Sequence, residues 1–196
     1  RTGEGAVADV LGIEFAQASA RSRGQGDYQA MRSVWREATG DSVEEVRAAI
    51  GKVIDVQYEA VAEALEDGHG LVIHGNVDRP EVLRKSLPER FEYVHGQKRS
   101  IEGVTLGFVG GGMETPLEAE GEVSDREMRE ILAEMGPVDI LCSHVPPAVG
   151  PLRTDVITGR AERGSEPILE YLIETQPKLH LFGDVHQPKA HQSTSG

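Results

Sequence analysis

Asp139-Ile140-Leu141-Cys142-Ser143-His144-Val145-Pro146-Pro147 reads as a short apolar strand that stops at a polar tip. Gly136-Pro137 breaks the chain before it, and the β-prone residues Val138, Ile140 and Leu141 follow. Ser143-His144 falls at the strand end, and Pro146-Pro147 forbids both helix and further sheet pairing. A histidine held at a strand end by a stiff turn is placed to be a ligand or a catalyst. Alone, the stretch reads better as a surface histidine in a turn.

Two other stretches repeat the design. Leu71-Val72-Ile73 opens into His74-Gly75-Asn76-Val77-Asp78, and Leu179-His180-Leu181-Phe182 opens into Gly183-Asp184-Val185-His186-Gln187-Pro188. In open α/β sheets, ligands bind at the carboxyl ends of the strands. Three such ends converging assemble Asn76, His144, Asp184 and His186: an amide oxygen, two imidazoles and a carboxylate. That mixed N/O set suits a divalent Mn, Fe or Zn ion.

Composition bounds the alternatives. The chain has 196 residues, 38% of them hydrophobic, enough for one domain with a real core. No apolar run is long enough for a transmembrane helix, so no membrane partner is expected. The single cysteine, Cys142, excludes an intrachain disulfide and fits a reducing cytoplasm, the expected location. A net charge of −13 argues against broad binding to a nucleic-acid backbone. A bound cation would still recruit a phosphate locally.

Outward from the three strand ends, the chain reads as β, α, β, β, α, β, α, β, an α/β layered domain. Residues 1–26 are punctuated by glycine and serine, and only Val7 to Ala18 is apolar enough for a short helix or strand. Tyr28 to Thr39 is a predicted helix capped by Asp27 and ended by Gly40. Ser42 to Glu45 is a capping-box pattern, and a long helix to about Glu66 follows from apolar residues stepping by three or four. Residues 28–66 thus read as a helical insertion or cap before the Gly-Asn stretch. Pro80 opens a short helix to about Lys85. Phe91 to Val94 and Arg99 to Val109 are predicted strands, and Gly110-Gly111-Gly112 reads as a flexible turn. Ser124 and Ser165 cap two further helices, and residues 189–196 read as a flexible tail.

Gly75-Asn76-x-Asp78, Ser143-His144-x-Pro146 and Gly183-x-Val185-His186, in that order, resemble the calcineurin-like metallophosphoesterases. The resemblance covers roughly Leu71 to Pro188 and implies a four-layer α/β sandwich, with residues 1–188 as one domain. It also implies two divalent metals, Mn foremost and Fe or Zn next, between the strand ends. Carried over, Asn76, His144 and Asp184 hold one metal and His186 the other. The implied activity is hydrolysis of a phosphomonoester or phosphodiester, of a small molecule or nucleotide, by a metal-activated hydroxide. Arg160 or Arg163 is the candidate phosphate clamp, and His74 the candidate proton donor. A homo-oligomer is compatible with all of this.

This sequence also departs from the family pattern. Asp184 stands where the family usually has His, and Val77 where many members carry a His that assists the leaving group. The family's opening Asp-x-His and Gly-Asp strands are not legible. Gly26-Asp27 follows the polar run Ala20 to Gln25, so Asp27 reads as a helix cap rather than a metal bridge. The chain therefore reads either as a copy missing sequence at both ends, and near Ala6-Val7, or as a degenerate member. In the latter case the fold would serve as a binding or scaffold module.

Overall fold

A computed structural model describes residues 2–24, 27–115, 119–154 and 163–185. The chain is mixed α/β and divides into two compact units, Arg1–His69 with Val77–Phe91, and Gly70–Asn76 with Glu92–Gly196. Among the described residues, no helix is long and apolar enough to cross a membrane.

The first unit is helical. Residues α1 Thr2–Leu11 and α2 Ile13–Gly24 form two helices where the sequence offered one short element. Gly12, at φ +89°, supplies the break between them. Packing overrides the glycines here: Ala6 is fully buried, and Phe15 meets the edge of Trp35 at 5.1 Å between ring centroids. The helix α3 Tyr28–Thr39 starts where Asp27 accepts a hydrogen bond from the Ala30 N–H, as the sequence predicts. A single 3₁₀ turn, Gly40–Ser42, leads into α4 Val43–Leu65. The expected capping box at Ser42 does not form. Ser42 closes that turn at φ −95° and ψ 22°, outside the extended geometry an N-cap side chain needs.

The short helix α5 Pro80–Ser86 completes the unit, with Pro80 in its first turn. Its entry is anchored by Tyr58 of α4, which is 2% exposed. The Tyr58 hydroxyl donates to Asp78 Oδ1 at 3.0 Å and accepts the Arg79 N–H at 2.9 Å. Burial, with Asp78 alongside, pushes this phenol up to about 12. The aspartate of the Gly-Asn-x-Asp motif is thus engaged in holding a helix start.

The second unit carries the sheets. Strands β1 Gly70–Val72 and β2 Phe91–Tyr93 pair with each other. A four-stranded sheet runs β3 Gln97–Ile101, β4 Val104–Val109, β7 Ile140–Ser143, β8 Leu179–Phe182, in that spatial order. The small parallel pair β5 Gly112–Met113 and β6 Glu122–Val123 lies between β4 and β7 in the chain. The stretch from Arg99 to Val109 is a hairpin rather than one strand. Glu102 and Gly103, at φ +51° and +81°, form the two-residue turn, a backbone sign that matches the twist of paired strands.

Strands β4, β7 and β8 are parallel, connected through α6 Asp125–Met135 and α7 Glu166–Thr175. Ser124 and Ser165 cap these helices by accepting the Glu127 and Ile168 N–H groups. The helices bury one sheet face: Met128, Leu132 and Met135 from α6, and Ile168 and Tyr171 from α7, pack with Val109 and Leu141. The register puts Leu106, Phe108, Ile140, Cys142, Leu179 and Leu181 on the other face. That face is apolar and partly open, with Leu179 46% and Leu181 51% exposed.

Candidate metal centre at the strand ends

The carboxyl ends of β4, β7 and β8 are level, because Val109 pairs with Ser143 and Ser143 with Phe182. One more residue on each side is stitched by backbone. The His144 N–H donates to the Val109 carbonyl, and the Gly183 N–H donates to the His144 carbonyl, both at 2.9 Å. His144 is therefore held from both flanks. After it, Pro146 and Pro147 are fully buried, and the Ser165 N–H closes on the Pro146 carbonyl. The stiff turn expected from the prolines is formed.

This backbone presents an imidazole with an unsatisfied nitrogen. His144 Nε2 is buried and has no hydrogen-bond partner among the described residues, and it faces Asp184 Oδ1 at 3.6 Å. That distance is too long for a hydrogen bond. It is close to the separation of two ligands on one tetrahedral ion with bonds of about 2.1 Å, roughly 3.4 Å. Asp184 sits at φ +64°, in the left-handed region. A short polar residue tolerates that conformation, and such positions cluster at functional sites.

Asn76 is seated by a different device, against the segment that follows β4. The Gly111 N–H donates to the His74 carbonyl at 2.9 Å, which ties the loop after β1 to the segment after β4. Gly110, Gly111 and Gly112 are buried, so the expected flexible turn is instead a packed seat. A Cβ on Gly110 would lie 2.7–2.9 Å from His74, and one on Gly112 only 2.2 Å from the Asn76 Cβ. The glycines are needed for close approach of two backbones rather than for a bound phosphate.

His74 is 3% exposed, and its Nδ1 lies 2.8 Å from the Tyr93 hydroxyl. The His95 ring packs against it at 4.7 Å between centroids. His95 Nδ1 accepts the Gly110 N–H at 2.9 Å, which puts the His95 ring proton on Nε2. Burial holds the His95 pKa below the ordinary imidazole value, against an opposing pull from Glu127. His74, the candidate proton donor, is thus built into a packed Tyr93–His74–His95 layer.

Of the sequence-predicted site residues, Asn76, His144 and Asp184 belong to one unit, each at a strand end or the loop following it. His186 and Arg160 lie outside the described residues. Arg163 donates from Nη1 to the Glu114 carbonyl at 2.7 Å, so it links the segment after the glycines to the one that closes on Pro146. Sequence reasoning missed Tyr93, His95 and His180 and misjudged the glycines. Three consecutive glycines directly after a strand were the available signal.

No protein-family profile and no curated protein matches the sequence. A solved crystal structure matches in fold, with a TM-score of 0.58 at 17% identity over 91% of this chain and 72% of that one. At that identity the likeness speaks for the fold alone. Among the described residues, no three His, Cys, Asp or Glu side chains cluster to hold an ion; His144 and Asp184 form a pair.

Proposed function

We propose that the chain is a metal-dependent phosphoesterase of the calcineurin-like type. The observation that carries this reading is the buried Nε2 of His144, without a hydrogen-bond partner among the described residues, facing the Asp184 carboxylate at 3.6 Å across two adjacent parallel strand ends. An unpaired buried nitrogen is costly unless something completes it. A neutral imidazole and a carboxylate at that spacing fit a borderline divalent cation such as Mn, Fe or Zn.

In this reading His144, Asp184 and the Asn76 amide oxygen hold one cation, and His186 belongs to a second. A cation bound there would polarise a phosphoryl oxygen and acidify a water. The residues of the chain then have separable tasks. His144 supplies a lone pair whose direction is set by backbone bonds on both sides of its peptide. Asp184 supplies negative charge, held toward His144 by its left-handed backbone. Arg163, with one nitrogen on the Glu114 carbonyl, offers its other guanidinium donors to phosphate oxygens. A four-layer sandwich is supported by the apolar sheet face opposite α6 and α7, which a second layer would cover. The substrate is a phosphomonoester or phosphodiester of a small molecule or nucleotide.

The test is metal stoichiometry by elemental analysis after loading with Mn and removing the excess, with Asn76→Ala and His144→Ala in parallel. Retained Mn, lost from both variants, is expected, together with hydrolysis of an aryl phosphodiester. A folded chain that retains no Mn would sink this reading. It would leave the alternative of a degenerate fold acting as a binding or scaffold module.

A further inference from the structure

We propose that His180, which no part of the metal reading uses, is a positioning residue for His144, acting through the Ser143 hydroxyl. The inference rests on the reading of His144 as a metal ligand. His180 lies on β8, paired with Leu141, and so shares a sheet face with Ser143. Its Nε2 is 2.8 Å from Ser143 Oγ, and that oxygen is 2.7 Å from the Val145 carbonyl oxygen.

Proton counting fixes the direction of both bonds. The Val145 carbonyl only accepts, so the one Ser143 hydroxyl proton goes to it. The Ser143 oxygen then has only lone pairs left, and His180 Nε2–H must donate. His180 is neutral, with its proton on Nε2. The desolvation that pushes its pKa down to about 4 keeps it in that form at neutral pH.

The consequence falls on the residue between the two ends of the bridge. The Ser143 side chain spans His144 to reach Val145, so it closes a small ring around the His144 peptide. Ser143 is itself 5% exposed, and its hydroxyl is held from two sides, by its own donation to the Val145 carbonyl and by the His180 N–H on its lone pair. With the His144 N–H on Val109 and its carbonyl receiving the Gly183 N–H, the ring leaves few ways for the imidazole to emerge. An apolar side chain at position 180 would fill the same space and leave the buried Ser143 oxygen without its donor, with only the Val145 bond to hold it. Neither bond touches the His144 imidazole, so His180 acts through the backbone that flanks it; removing a group that orients a metal ligand typically changes metal affinity by about 10–100-fold.

The experiment measures Mn affinity of the 196-residue chain by electron paramagnetic resonance of free Mn, with urea unfolding at neutral pH in parallel. His180→Leu is expected to bind Mn about 10–100-fold more weakly with an unfolding midpoint that is not lowered in proportion. His180→Gln, whose Nε2–H reaches the same hydroxyl, is expected to restore affinity. Ser143→Ala is expected to reproduce the His180→Leu loss, and the double variant to add nothing further. Equal Mn affinity in His180→Leu and the wild type overturns the inference alone, as does a double variant with additive losses. If His180→Leu fails to fold, wild-type affinity in Ser143→Ala overturns it instead. A wild-type chain that takes up no Mn overturns the metal reading itself, and the inference with it.

Discussion

Gly112→Ala isolates the seat of Asn76, because its effect is purely steric. Gly112 is not in the left-handed region, so alanine adds no backbone strain. The added methyl would sit 2.2 Å from the Asn76 Cβ and 2.8 Å from its Cα. Ordinary contact begins near 3.4 Å, so one backbone must retreat by about 1.2 Å. No flexible side-chain tip is available to give way. Overpacking of this kind costs about 1–3 kcal/mol, and backbone obstruction puts this case at the upper end. The displacement exceeds the roughly 0.5 Å tolerance of a ligand or catalytic position. Urea unfolding should therefore show a loss of about 3 kcal/mol, and Mn affinity should fall by at least tenfold. Gly150→Ala is the control, since nothing lies within 4 Å of its added methyl. It should change stability by less than about 0.5 kcal/mol. A Gly112→Ala chain with an unchanged unfolding midpoint would refute the claim that the Asn76 loop rests on the glycines.

The remaining predictions concern Tyr58 and His180. Tyr58→Phe removes a buried hydroxyl from two bonds and should cost about 1–3 kcal/mol in urea unfolding; a wild-type midpoint would show that Asp78 and Arg79 do not depend on it. Because the Tyr58 phenol titrates near 12 in the fold against 10 ordinarily, its contribution is complete below pH 10. It is lost as pH rises to 12, by roughly 3 kcal/mol, a limb Tyr58→Phe should lack. His180 gives the acid counterpart. Its pKa is about 4 in the fold and 6.5 when unfolded, so the unfolded chain binds the proton first. Stability should fall by roughly 3 kcal/mol as pH drops from 6.5 to 4. The wild-type minus His180→Leu difference isolates that slope; a flat difference would mean the imidazole is not desolvated.

The strand ends were legible because each is announced locally, by an apolar run followed by polar residues and glycine or proline. β1, β7 and β8 sit where Leu71, Ile140 and Leu179 put them, and the caps at Asp27, Ser124 and Ser165 formed for the same local reason. What failed came from tertiary packing or from backbone angles that residue type does not announce. Residues 2–11 and 13–24 are helical although Gly3 and Gly5 lower the local propensity, because tertiary packing outweighs a propensity cost of about 1 kcal/mol per glycine. The Ser42 box had the right residues, but the turn before it took the wrong backbone angles. The turn at Glu102-Gly103 hid inside what read as continuous β pattern, since glutamate is a poor marker of positive φ.

The glycines and His180 failed for a subtler reason. Each acts on a residue far from it in sequence: Gly112 on Asn76, His180 on Ser143. A period or a cap reports what a residue does to its own element. Nothing in a single sequence reports what it does to another strand until register is known. Once Leu141 is paired with His180 and Ser143 with Phe182, the imidazole and the hydroxyl are forced onto one face, and their bond follows from proton counting. The same holds at the other end of the rim, where tying Gly111 to the His74 carbonyl leaves no room for a side chain on Gly112. Ligand types at strand ends could therefore be named from residue chemistry alone. The groups that aim them became visible only with the register, which is why mutating Gly112 or His180 tests the geometry independently of the ligands themselves.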